Sequence, residues 1–131
     1  MFSKKKQPPI KSLIAEGSVI TGNIRFTDGL RVDGTVVGNI EAAQDASSIL
    51  VISEIAHITG DVVADHIIVN GSIKGPVHAR RMLELQPKAR VEGDIHYSAL
   101  EMHQGALITG LLSPILESEE KPTLKLAANN Q

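Results

Sequence analysis

The chain contains no cysteine and no tryptophan, and aromatic residues make up only 2% of its 131 positions: Phe2, Phe26 and Tyr97. Without cysteine there can be no disulfide, no thiolate metal site and no cysteine nucleophile, and nothing indicates an oxidising compartment. No apolar run approaches the ~18 residues of a membrane-spanning helix. The lysines near the N-terminus are not followed by an apolar stretch, so a secretory signal is not expected, and the cytoplasm is the default location. An excess of positive charge is also missing. Thirteen Lys and Arg face fifteen Asp and Glu, a net charge of −2, which argues against nucleic acid as a partner.

Small aliphatics are abundant. Hydrophobic residues make up 42% of the chain, nearly all Ile, Leu, Val and Ala, a composition suited to regular, repeated packing. Charge divides the chain into three parts. Residues 1–12 carry four lysines and no acid, and residues 117–131 are polar and aperiodic. Both ends are expected to be disordered tails, with Pro8-Pro9 as a stiff break before the central domain, 13–116.

The central part repeats. Gly22, Gly38, Gly60, Gly75, Gly93 and Gly110 mark it, at separations of 16, 22, 15, 18 and 17. Counted from each marker, offset −2 holds Ile20, Val36, Ile58, Ile73, Val91 and Ile108. Offset +2 holds Ile24, Ile40, Val62, Val77, Ile95 and Leu112. Offset −4 holds only small residues (Ser18, Gly34, Ala56, Gly71, Ala89, Ala106), and offset −8 only apolar ones (Ile14, Leu30, Ile52, Ile67, Leu85, Met102). Even offsets are apolar or small and odd ones mostly polar, which is the period of a strand. Each unit is long enough for three short strands joined by bends. Such units cannot bury a core alone, but stacked at ~4.8 Å they form aliphatic ladders, and six turns make a rod of about 29 Å. The expected fold is all-β: one parallel β-helix of about six turns. The long interval places a loop at Ala42–Ser48.

No catalytic constellation emerges. His57, His66, His78, His96 and His103 all fall at odd, outward offsets, and only His78 and His96 share one, as a stacked pair. A catalytic zinc needs three convergent ligands, which that pair does not supply; neither metal nor cofactor is expected. There is no Walker loop and no nucleophile elbow. A hexapeptide-type β-helix enzyme is the first alternative, but its six-residue apolar spacing fades at offset +4 (Phe26, Ala42, Ala64, Ala79, Tyr97, Pro114). A DNA- or protein-binding adaptor is the second, resting on Lys74, Arg80, Arg81, Lys88 and Arg90. No aromatics interleave with that patch to stack bases, and nearby Glu84, Glu92 and Asp94 can offset it.

The ends of the rod carry more information. Stable solenoids cap their terminal turns. Here the first turn offers Ile14, Ile20 and Ile24, the last offers Ile108, Leu111, Leu112, Ile115 and Leu116, and no amphipathic capping helix flanks either. These eight residues are the candidate interface for end-to-end self-assembly. A second candidate site is the tail Met1, Phe2, Ser3, Lys4, Lys5 and Lys6, an apolar wedge followed by lysines that suits an anionic bilayer.

The repeated units VDGTVVGNI at 32–40 and VNGSIKGPV at 69–77, with polar tails and the MFSKKK start, resemble the bactofilins. The resemblance implies a right-handed β-helix and a bacterial cytoskeletal protein that polymerises without nucleotide into non-polar filaments. It further implies attachment to the inner face of the cytoplasmic membrane through residues 1–6, a scaffolding role for cell-shape or peptidoglycan-synthesis and remodelling factors, and no enzymatic activity.

Overall fold

The computed structural model describes residues 8–44 and 46–116. The described chain contains no helix, and hence none able to cross a membrane. It winds through six turns of a parallel β-solenoid. The first turn holds β1 (Ile10–Ile14), β2 (Val19–Thr21) and β3 (Ile24–Phe26), and the second β4 (Asp28–Val32), β5 (Thr35–Val37) and β6 (Ile40–Ala42). Next come β7 (Ser48–Ile52), β8 (His57–Thr59), β9 (Val62–Val69), β10 (Ser72–Lys74) and β11 (Val77–Leu85). The chain then continues through β12 (Arg90–Glu92), β13 (Ile95–Tyr97), β14 (Leu100–Met102), β15 (Leu107–Thr109) and β16 (Leu112–Pro114).

Each turn presents three faces. The face β2-β5-β8-β10-β12-β15 is one six-stranded parallel sheet. The other two faces merge into one ten-stranded sheet, because β9 and β11 each run unbroken round a corner. Three short strands per turn is therefore the rule, with these two long strands as departures from it. Strand β1 begins at Ile10, so residues 10–12, expected to be tail, are strand. Met1 to Lys6 and residues 117–131 lie outside the described residues.

The core is made of ladders. Ile20, Val36, Ile58, Ile73, Val91 and Ile108 are successive register partners, as are Ile24, Ile40, Val62, Val77, Ile95 and Leu112. The four middle members of each ladder are completely buried or nearly so. Like shapes stacked in register fill such a core without large anchors, which is how the chain does with so few aromatics.

The offset −8 column divides between two ladders. Ile14, Val32, Ile52, Val69, Leu85 and Met102 stack together, while Leu30 and Ile67 belong to the neighbouring ladder with Leu50, Leu83 and Leu100. The cause is a corner of two lengths. Four turns close it with a reverse turn, in which the N–H groups of Ser18, Ala56, Ala89 and Ala106 donate to the carbonyls of Ala15, Ser53, Gln86 and His103. The turns at Asp33 and Asn70 are two residues shorter. There the inward residue is glycine, since a Cβ on Gly34 would lie 2.6 Å from the carbonyl oxygens of both Ala15 and Ser18. Gly71 is crowded in the same way by Ser53 and Ala56.

The marker glycines meet a double requirement. Their φ angles lie between 131° and 150°, a region essentially closed to other residues. Each also stacks on the one before it so closely that a Cβ on Gly38, Gly60, Gly75, Gly93 or Gly110 would approach that glycine's carbonyl to under 3.0 Å. Beside this column, Asn23 Oδ1 accepts from the Asn39 N–H (3.0 Å) and Asn39 Oδ1 from the Asp61 N–H (2.9 Å).

The long interval does place a loop between β6 and β7, although Ala42 and Ser48 at its ends are buried. A polar node anchors it. Ser48 N–H donates to Asp65 Oδ2 (3.1 Å), and Asp65 N–H donates to Ser48 Oγ (3.0 Å). From the next turn, Arg80 Nη2 donates to the Ala42 carbonyl (2.6 Å), and Arg80 Nη1 lies 3.4 Å from Asp65 Oδ1. Asp65 is buried, so Arg80→Met would strand its carboxylate and leave the Ala42 carbonyl unpaired. A cost of about 2–3 kcal/mol is expected, somewhat below that of a fully buried pair because Arg80 retains some exposure. A urea melt with an unchanged midpoint would show that the node does not hold the loop.

Candidate functional site

An inward side chain in a middle turn is covered from above and below. In a terminal turn it has one neighbour, and its other side is open among the described residues. Ile14, Ile24 and Ile108 are half-buried against the core, whereas Ile20, Met102 and Leu112 are exposed. The ladders therefore end in partly uncovered aliphatic groups at both ends of the rod.

Outward positions of the terminal turns add to these surfaces. The β2 face has the outward column Val19, Thr35, His57, Ser72, Arg90 and Leu107. It is polar in the middle and apolar in the first and last turns, where Val19 is 66% and Leu107 59% exposed. The corner residue Leu111 is 69% exposed, in the column occupied earlier by Asn23, Asn39, Asp61, Pro76 and Asp94. Leu116 is 82% exposed. At the other end Ile10 and Leu13 are exposed as well. Large apolar groups concentrated this way mark association surfaces.

The eight expected interface residues thus fall at the two ends, but unequally. Leu111, Leu112 and Leu116 are open. Ile115 is half-buried, and its N–H donates to the Tyr97 carbonyl at 2.6 Å, so it closes the last turn rather than standing beyond it. Sequence reasoning missed Ile10, Leu13, Val19, Met102 and Leu107 as parts of these surfaces. For Val19 and Leu107 the signal was present, as an outward column that turns apolar only in its end members.

Chemistry along the sides of the rod is sparse. The His78 and His96 rings stack with centroids 5.8 Å apart and an interplanar angle of 24°. Desolvation, then the charges of His96 and Arg80, hold the His78 imidazole below its usual pKa. Three members of the basic patch have partners, none of them the acids expected. Arg80 serves the loop node, Arg90 Nη1 donates to the Ala89 and Gly105 carbonyls, and Lys88 Nζ lies 3.8 Å from Glu54. Offset +4, where hexapeptide spacing was expected to fade, does point inward: Ala42, Ala64 and Ala79 are buried, and Phe26 and Tyr97 pack against the core.

A family model described as bactofilin, polymer-forming cytoskeletal, matches residues 12–113 of the chain. No curated protein and no solved structure gives a match.

Proposed function

The chain belongs to the bactofilin family of polymer-forming cytoskeletal proteins, and from that premise we propose that its solenoid polymerises by stacking rod ends, first turn to first turn and last turn to last turn. The observation that carries this reading is the pair of apolar terminal surfaces joined by a rod whose middle turns bury their inward ladders, with Val37 and Ile55 the large apolar side chains exposed between the ends. Burial of these surfaces drives association at about 25 cal/mol per Å² of apolar area, with no need for a nucleotide. Like-to-like contacts are two-fold and make a non-polar filament.

The filament lies on the inner face of the bacterial cytoplasmic membrane. Met1 and Phe2 supply an apolar wedge, and Lys4, Lys5 and Lys6 each contribute on the order of 1 kcal/mol near an anionic surface. One such tail binds weakly, but many on one polymer bind through avidity. A membrane-bound filament of this kind scaffolds cell-shape factors, including proteins that build or remodel peptidoglycan.

Purified protein examined without nucleotide by electron microscopy, then floated with anionic vesicles, tests both steps. Filaments that float in low salt, sediment free in high salt, and no longer float when residues 1–6 are deleted are the expected result. Discrete trimers in place of filaments would favour the hexapeptide-type enzyme. Flotation of the truncated protein would move the anchor elsewhere.

A further inference from the structure

Glu84 and Glu101 are direct register partners on the neighbouring parallel strands β11 and β14. Both side chains stand on the outer face, so two carboxylates meet across one rung, an arrangement that destabilises a ladder unless a cation offsets it. His103, one residue beyond β14, brings its imidazole to the same point. Its Nε2 lies 3.2 Å from Glu101 Oε2 and 3.5 Å from Glu84 Oε2. That nitrogen is shielded from solvent yet makes no hydrogen bond to a described residue. It is close to both oxygens without directing an N–H along either line.

The arrangement has the dimensions of a coordination site. The three ligand atoms lie within 4.8 Å of one another. Ligands held about 2.1 Å from a tetrahedral Zn²⁺ are themselves about 3.4 Å apart, close to both imidazole–carboxylate separations. The side chains of Glu84, Glu101 and His103 are 21, 52 and 38% exposed, which leaves an open side for water ligands. Gln86 Nε2 donates to Glu84 Oε2, an outer contact that orients the carboxylate. One imidazole with two carboxylates suits Zn²⁺-class ions better than Mg²⁺, which prefers oxygen ligands and keeps its water.

We propose that Glu84, Glu101 and His103 form a surface site for one divalent cation of the Zn²⁺ class, which ties the last turn of the solenoid to the turn before it. An imidazolium can offset the two carboxylates only while protonated; the metal does so with the ring neutral.

The test is titration of the full chain with Zn²⁺ at neutral pH, read by calorimetry and by thermal melting. One site per chain is expected, with affinity weakened about tenfold or more in His103→Ala and in Glu84→Gln. His96→Ala, which breaks the stacked His78–His96 pair elsewhere on the surface, should leave it intact, and Mg²⁺ should not compete. Zn²⁺ should raise the melting midpoint of the wild type and not that of Glu84→Gln, a near-isosteric change that preserves the strand. Absence of Zn²⁺ binding would overturn the proposal. So would binding that survives both site variants, or binding lost in His96→Ala instead.

Discussion

Leu112→Arg is expected to abolish filaments and leave a folded dimer. Leu112 is the last member of its ladder, seated on Ile95 and exposed on its far side. Within the protomer the arginine stem can lie along Ile95 and keep its guanidinium in water, so circular dichroism should remain β-rich. In the polymer that charge would be buried against an apolar partner turn, at a cost of several kcal/mol. Two-fold symmetry would bring a second copy of the charge close to it. Ile115 is a poorer probe, since its backbone closes the last turn. Sedimentation velocity reads the outcome. A dimer means the opposite end still pairs, whereas a head-to-tail filament would leave monomers, because every contact would then include the altered end. Normal filaments from this variant would remove the last turn from the interface.

The second large effect is expected at the glycine column. Gly60→Ala would place a Cβ on a residue with φ +147° and drive it into the Gly38 carbonyl of the preceding turn. Backbone strain and the steric clash each cost about 1–3 kcal/mol, and neither can relax without parting two turns. Gly17→Ala is the matched control. Its φ is +90°, but nothing lies within 4 Å of the added methyl, so strain acts alone and about 1 kcal/mol is expected. Gly60→Ala should therefore melt far below Gly17→Ala, or fail to fold. Two variants that melt together would mean the column is not packed as tightly as described.

Much of this was legible in the sequence because a solenoid writes its contacts as spacing. The columns at −4, −2 and +2 are the observed stacks, since the residues between them and the marker glycine are constant in number. The column at −8 slipped because it lies beyond a corner of variable length. A clue was present: Gly34 and Gly71 mark the short corners, and Ser18, Ala56, Ala89 and Ala106 the long ones. Grouping all six as merely small discarded it. The loop node was not legible, because Ser48, Asp65 and Arg80 come from three successive turns and meet only when the interrupted corner is folded. The Glu84–Glu101 pairing could be read at a common offset, but His103 joins it by leaving the strand, which no periodicity encodes. The terminal surfaces were found on their inward side and underestimated on their outward side, where Val19 and Leu107 depart from a polar column.

The ladders also bear on how a filament of these rods would carry tension. Neighbouring turns are linked by backbone hydrogen bonds on all three faces, and in a parallel solenoid these bonds run along the rod axis. A pull along the filament loads the bonds between two turns side by side, so none can fail alone. The covalent chain spirals through the same section as a tether. At the joint between two rods that tether is interrupted. A filament joined end to end would therefore part at its joints under tension and release intact subunits able to rejoin, so that the polymer yields and re-forms while each protomer stays wound.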